Sequence, residues 1–460
     1  GQVRHAAAAA LAAVAPRGDG RAVGALAAAL KDAEEPVRQS AVEALVATAE
    51  LGDARAIVAL SGGLQDPNDC VRSAAAEALA AVAGKGCESV ADALLRALED
   101  VSPLVRQAAA EAMACIVERG DERALAAFAV LLEDALPPEQ GPPPDALLFA
   151  KKGDAQAVAM VLERLEHPDM YVRCAAADAL SALVVPGNVD AVRSLTLHLE
   201  DPDGEVRRTV VKGLTALSIH GDVRTIAAVV LHLENPDWAV RCSAVEALGS
   251  IAGSNSELAL MALLECLQDD CSYVRQASAQ ALPLAANAAT RRSAAGALAA
   301  LLGDPATSVR HAVVEALPRL VDRGCRDAVD AVSAHLRSSD SSVRCDAVRA
   351  LGAVAGRGDE QAIELLTGCL KDLDKHVRCS AVEALAAVAE TGDAAAFKSL
   401  VACLEDEDDY VRRAVAEAVA ALAEGGDEHA TAVLRTCLED PDDYVRCTAA
   451  EGLAAARKGR

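Results

Sequence analysis

The stretch LEDPDDYVRCTAAEGL, residues 438–453, repeats an arrangement found 34 residues earlier as LEDEDDYVRRAVAEAV (404–419) and again as LKDLDKHVRCSAVEAL (370–385). Each copy sets an acidic turn, a Val-Arg pair and an Ala/Leu-rich run on the same beat. Working outward, the beat falls on Arg4, Arg38, Arg72, Arg106, Arg173, Arg207, Arg241, Arg275, Arg310, Arg344, Arg378, Arg412 and Arg446. The spacing is 34, save 35 between Arg275 and Arg310 and 67 between Arg106 and Arg173. The long gap is two units with one copy erased. The chain therefore holds thirteen legible units and one degenerate one, and a fixed period of this length marks a solenoid or array.

Each unit reads as two helices. In 358–389, Ile363, Leu366 and Leu370 share one face of a first helix, A; Val377, Ala381, Leu385 and Val388 share one face of a second, B. Gly-Asp pairs recur at 18–19, 52–53, 120–121, 153–154, 221–222, 358–359, 392–393 and 426–427. They supply a C′ glycine for one helix and an N-cap for the next. The turn from A to B is acidic and often carries proline, as at Pro67, Pro202, Pro305 and Pro441. No segment alternates with period two, so no sheet is expected. The predicted fold is an all-α solenoid of about fourteen 34-residue helix-turn-helix units.

The motif D-P-x-x-x-V-R-x-x-A-x-x-A-L, spread over nearly the whole chain, resembles the short HEAT-like repeat of phycobilisome lyase subunits. The resemblance implies a right-handed superhelix, helices B on its concave side, and an Asp–Arg ladder along the stack. It also raises a lyase-type alternative, a subunit that attaches a bilin chromophore. The HEAT-like deoxyhypusine hydroxylases use His-Glu dipeptides as iron ligands; no histidine here is followed by Glu.

A cation in the first turn of helix B sits at the unfavourable end of the macrodipole, at a cost of about 0.3–1 kcal/mol. Arg38, Arg72, Arg106, Arg173, Arg207, Arg241, Arg275, Arg310, Arg344, Arg378, Arg412 and Arg446 are therefore read as inter-repeat staples. Nearby turn carboxylates such as Asp440, Asp442 and Asp443 are the expected partners.

The organisation is expected to be 1–133, a Pro-rich degenerate unit or hinge at 134–152, and 153–460. In the break, Gln140 stands where the beat calls for arginine, and Asp145 can cap a short helix over 146–151. Pro283 and Pro318 fall inside consecutive helices B, where a local bend is expected. The first unit, GQVRHAAAAALAAVA, is a helix B without its helix A. At the far end, Arg457, Lys458 and Arg460 suit a helix C-terminus.

The net charge of −25 disfavours nucleic-acid backbones and anionic membrane surfaces, and points to a protein partner with a basic surface. No apolar run approaches a membrane span. Walker, H-E-x-x-H and G-x-S-x-G signatures are absent, so no enzyme and no cofactor are expected. Arg-Gly-Asp at 17–19, 119–121 and 357–359 is read as helix end plus connection, not as an adhesion signal.

Fourteen cysteines recur in slots too far apart between units for disulfides. This points to an intracellular reducing compartment, the cytoplasm or an organelle interior such as the plastid stroma. Cys174, Cys242, Cys345, Cys379 and Cys447 follow the Val-Arg pair. They are fillers on the plain reading and reactive thiols on the functional one. Cys266, Cys369, Cys403 and Cys437 share a helix A slot with His198, His232 and His335; no metal site is expected from these pairs.

Two stripes are candidate partner-binding residues. Tyr171, Tyr273, Tyr410 and Tyr444 precede Val-Arg, with His376 in the same slot and Trp238 one residue earlier. Either they anchor a partner or they pack over the turn of their own unit. Five residues after the arginine stand Glu43, Glu77, Glu111, Asp178, Glu246, Glu315, Glu383, Glu417 and Glu451, interrupted by Lys212, Gln280 and Arg349. The expectation is a non-enzymatic scaffold that binds a basic partner or serves in a larger assembly. A purely architectural spacer is the remaining alternative.

Overall fold

The computed structural model describes residues 1–134, 145–253, 256–390, 393–423 and 428–458. Among these residues there are 27 α-helices, five short 3-10 turns and no strand. The solenoid architecture is therefore as the period predicts. Gln140 and the prolines of the break lie outside the described residues, as do Gly392, Gly426, Asp427 and the side chains of Arg457, Lys458 and Arg460. The chain divides into two compact units, Gly1–Ile219 and His220–Arg460. Each is a stack of A–B pairs.

The Val of every Val-Arg pair from Val37 to Val445 is buried, as are most residues four and eight positions further along helix B, among them Ala41, Leu45, Ala381 and Leu385. That spacing is one face of a helix, and it packs on the B helices before and after. Small side chains set the distance. Gly352 lies so close to the next helix B that a Cβ added there would sit 2.7 Å from the Ala384 Cβ and 3.0 Å from its Cα. Gly352→Ala is expected to destabilise by about 1–3 kcal/mol through overpacking, measurable by urea unfolding.

Two sets of hydrogen bonds clip most pairs of neighbours, one at either end of helix B. At the N-terminal end, Arg38 gives Nε and Nη2 to Asp66 at 2.6 and 2.9 Å. Its Nη1 turns back to the carbonyl of Asp32, in its own turn. The same fork joins Arg72 to Asp100, Arg106 to Asp134, Arg173 to Asp201, Arg241 to Asp269, Arg275 to Asp304, Arg344 to Asp372, Arg378 to Asp406 and Arg412 to Asp440. Each turn aspartate thus serves twice. The Asp66 carboxylate takes Arg38 and its carbonyl takes Arg72.

The expected partners need correcting. The carboxylate comes from the following unit's turn, 28 residues on (29 for Arg275), whereas the unit's own turn supplies carbonyl oxygens. Asp442 instead caps helix B, accepting the N–H groups of Tyr444 and Val445. Asp443, as expected, does pair with Arg446, from the same helix. At Arg310 the position 28 residues on is Ser338. The guanidinium reaches Asp346 of the next helix B at 2.7 Å, and the two side chains are 3% and 5% exposed. Arg207 bonds the carbonyls of Asp201 and Pro202.

At the C-terminal end of helix B the clip is a backbone one. Gly18 takes φ +88° and its N–H donates to Thr48 of the next helix B at 2.7 Å. Gly52, Gly86, Gly120, Gly153, Gly187, Gly221, Gly324 and Gly358 likewise have positive φ and bond Val82, Ile116, Phe149, Leu183, Leu217, Ile251, Val354 and Val388. A residue with a Cβ resists that φ. The following aspartates, such as Asp19, Asp53 and Asp359, cap helix A as expected. The Arg-Gly-Asp triplets are this connection.

The degenerate unit keeps both clips at its described edges. Arg106 reaches Asp134, and Gly120 bonds Phe149. Asp145 caps a helix that runs Ala146–Phe149, shorter than expected, and Phe149 stacks on Phe128 at 5.5 Å. Helices Ser272–Ala285 and Thr307–Leu320 continue through Pro283 and Pro318, which lie in their last turns. No described helix is long and apolar enough to cross a membrane.

Candidate partner-binding surface

Helix B has one face left over once its Val, Ala and Leu face is buried. Glu43, Glu77, Glu111, Asp178, Glu246, Glu315, Glu383, Glu417 and Glu451 all emerge on it as exposed residues. Within each unit of the chain their helices pack side by side, so the carboxylates form a row. Some are held by the slot four residues before: Arg413 pairs with Glu417 at 3.0 Å and Gln107 donates to Glu111 at 3.1 Å.

The aromatic slot lies at the other edge of helix B, on the A–B turn. Turn aspartates pin its backbone: Asp169, Asp408 and Asp442 accept the N–H groups of Tyr171, Tyr410 and Tyr444, and Asp374 that of His376. Tyr273, Tyr410, Tyr444, Trp238 and His376 are exposed, and Tyr171 is half-buried. Their ring contacts run to the preceding unit. Tyr273 stacks on Trp238 with centroids 5.1 Å apart, Lys375 lies over Tyr410 at 5.2 Å, and Arg413 over Tyr444 at 6.0 Å. The structure thus joins the aromatics to their neighbours and leaves outer faces open. Sequence reading missed these pairings, although Trp238 and Lys375, three residues before one arginine, and Tyr273 and Tyr410, two before the next, were visible; Arg413 comes instead from the slot just after Arg412.

Eleven of the fourteen thiols are partly or fully buried. Cys242 and Cys379 point their sulfurs at the carbonyls of Tyr273 and Tyr410 in the next unit, both at 3.9 Å. Burial, then Glu383 and Glu417, pushes Cys379 up to about 11. Burial raises Cys174, Cys345, Cys369, Cys403 and Cys437, and takes Cys266 to about 11. Cys70, Cys115 and Cys447 are the exposed cysteines among the fourteen. An alkylating reagent at neutral pH, read by peptide mass spectrometry, is expected to mark those three first and Cys266 and Cys379 more than tenfold more slowly, since thiolate is the reacting form.

His198 is also a clip. Its ring nitrogens lie 2.9 Å from the Ser194 carbonyl and 3.0 Å from the Leu165 carbonyl of the preceding unit. His335 is held below the usual range by burial. Among the described residues no group of three or more His, Cys, Asp or Glu side chains could hold a metal. A groove of about 940 Å³ between helices Gly20–Ala29 and Ala54–Gly63, lined by Gly24, Ala27, Val58 and Gly62, was not anticipated. Its signal was the run of small residues on two successive helices A.

The model for HEAT repeats matches seven stretches: 1–80, 63–139, 146–214, 192–283, 294–386, 353–420 and 370–454. The chain belongs to the HEAT-repeat family. The match is to HEAT repeats in general and does not extend to the phycobilisome-lyase type. No curated protein matches this HEAT-repeat chain in sequence. Among solved structures it is similar to Kap95p in a complex with RanGDP, at 15% identity and a TM-score of 0.53, over 96% of this chain and 62% of that one. It is also similar to Kap121p bound to Nup53p, at 14% identity and a TM-score of 0.57, over 94% and 48% of the two chains. Kap121p bound to Pho4p gives 14% and 0.55, over 95% and 49%. The chain thus spans about half to three-fifths of the length of these solved chains, and the likeness is one of fold.

Proposed function

We propose that this HEAT-repeat chain is a non-enzymatic scaffold whose B-helix face receives a basic segment of a partner protein. The carrying observation is that the carboxylates from Glu43 to Glu451, at one register of helix B, are all exposed within their own compact unit. A mostly acidic row, broken only by Lys212, Gln280 and Arg349, in a protein of net charge −25 attracts cationic segments and repels polyanions. Kap121p, similar in fold, is bound to protein partners in its structures with Nup53p and Pho4p. The free thiols suit a reducing compartment.

The test uses a lysine-rich peptide as probe. Glu383→Lys, Glu417→Lys and Glu451→Lys combined are expected to weaken its binding on the order of tenfold or more at low salt, with the difference shrinking as salt screens the field. Binding unchanged by the triple reversal would sink the acidic-face reading.

A further inference from the structure

The Lys375–Tyr410 step shows what a complete contact on the A–B ridge contains. Lys375 stands three residues before its arginine and Tyr410 two before the next. The ammonium lies 5.2 Å from the Tyr410 ring centroid and 3.0 Å from Asp408, so one cation joins an aromatic face to a carboxylate. At Arg413 and Tyr444 a guanidinium again covers the ring. Trp238 and Tyr273 occupy the positions of Lys375 and Tyr410. Here an aromatic replaces the cation. The rings stack on one another at 5.1 Å and 26°, and remain 46% and 58% exposed.

Among the described residues no cation lies over this aromatic plate, and Asp237 and Asp270 stand near its two rings in sequence. Asp237, the N-cap before Trp238, spends one oxygen on the Ala239 N–H. Asp270, three residues before Tyr273, is exposed, and its carbonyl accepts from Arg275. A group that suits such a place is planar, cationic and able to donate sideways. A guanidinium stacks on an aromatic face while its N–H fork reaches a carboxylate; an ammonium is more strongly hydrated and does the first less well. A nucleobase would also stack, but its phosphates would meet Asp237 and Asp270.

We propose that the Trp238–Tyr273 plate is the docking point for an arginine side chain of a partner polypeptide, with Asp237 and Asp270 as its counter-charges. The inference rests on the reading that the chain binds a basic protein, and adds where and through which residue type.

Trp238 is the single tryptophan, so its fluorescence reports this place alone. The full chain is titrated with a flexible Gly-Ser peptide bearing arginines, and with versions bearing lysine or citrulline. The arginine peptide is expected to change Trp238 emission, lysine less, and citrulline not at all. Calorimetry is expected to show Trp238→Ala and Tyr273→Leu each losing about two- to fivefold in affinity, the worth of an exposed cation–π contact. Asp270→Asn is expected to weaken the emission response. Unchanged helical circular dichroism shows that the variants are folded.

Arginine-peptide binding with silent emission and unaffected variants would overturn the plate while leaving the acidic face standing. Weakened binding of the lysine-rich peptide in the Glu383, Glu417 and Glu451 reversal, with the emission response to the arginine peptide kept, supports both. An intact response with no effect of that reversal keeps the plate and rejects the acidic face. Emission changed by an oligonucleotide but not by the peptide, or no binding of any peptide, overturns the proposal.

Discussion

Asp346→Asn is expected to cost about 3–5 kcal/mol, the penalty of leaving a buried arginine without its counter-charge. Arg310 and Asp346 are the most enclosed ion pair of the ladder, at 3% and 5% exposure and 2.7 Å. Asparagine keeps the shape and one acceptor but removes the charge. Arg310 retains the Asp304 carbonyl at 3.0 Å and the Thr307 hydroxyl at 3.2 Å, which lowers the penalty without replacing the carboxylate. In a repeat array stability is a sum of units and their interfaces, so the loss falls on the 307–354 region first. Hydrogen exchange of amides in helices Thr307–Leu320 and Ser341–Val354 is the measurement, alongside urea unfolding. Asp372→Asn, whose partner Arg344 is more exposed, is expected to cost less, about 1.5–3 kcal/mol for a charged hydrogen bond. Replacing Arg310 and Asp346 together by apolar residues of similar volume is expected to recover much of the loss. Equal exchange rates in Asp346→Asn and the unaltered chain would refute the assignment.

What could be read from the sequence was whatever repeats in side chains. The Val-Arg beat gave the helix pairs, because Val37, Val71 and their equivalents must be buried at one position per turn of the pattern. The Gly-Asp pairs gave the caps. The direction of the staples was not readable. Arg38 has Asp32 six residues before it and Asp66 28 residues after it, and a periodic sequence offers both. The structure uses the first for its carbonyl and the second for its carboxylate. The second clip was invisible, because a Gly18 N–H on a Thr48 carbonyl is made by backbone groups that any sequence carries. Only the need for positive φ leaves a trace, as glycine. Asp346 was also hidden. Its role appears once Ser338 is seen to break the beat, and nothing in the sequence says where the replacement charge stands. On the candidate face, the exposed Glu row followed from its place opposite the apolar residues. The Trp238–Tyr273 and Lys375–Tyr410 contacts did not, since they depend on how far one turn advances over the next.

Acidification is expected to unzip the stack steeply below about pH 4, the ordinary range of a free aspartate. Asp100 and Asp372 are held below that range first by Arg72 and Arg344. For Asp66, Asp269, Asp304, Asp406 and Asp440 burial pushes upward and is the largest single influence. The arginine bonds and the N–H two residues on together outweigh it, so these too are lowered. A carboxylate with a depressed folded value binds its proton more readily in the unfolded chain. Its stabilisation is complete above the unfolded value and is lost as the pH falls through the folded one. Each such group adds up to about 1.4 kcal/mol per pH unit to the slope, and here seven act on successive interfaces. From pH 7 down to about 5 the trend is the reverse, because partial neutralisation of a chain at −25 relieves its self-repulsion. Urea midpoints followed by circular dichroism are therefore expected to rise slightly and then collapse. In Asp372→Asn the collapse is expected to be shallower by one group's share, while the mild rise above pH 5 stays. A steady decline from pH 7, or an identical slope in that variant, would show that the guanidinium–carboxylate forks do not hold the repeats together.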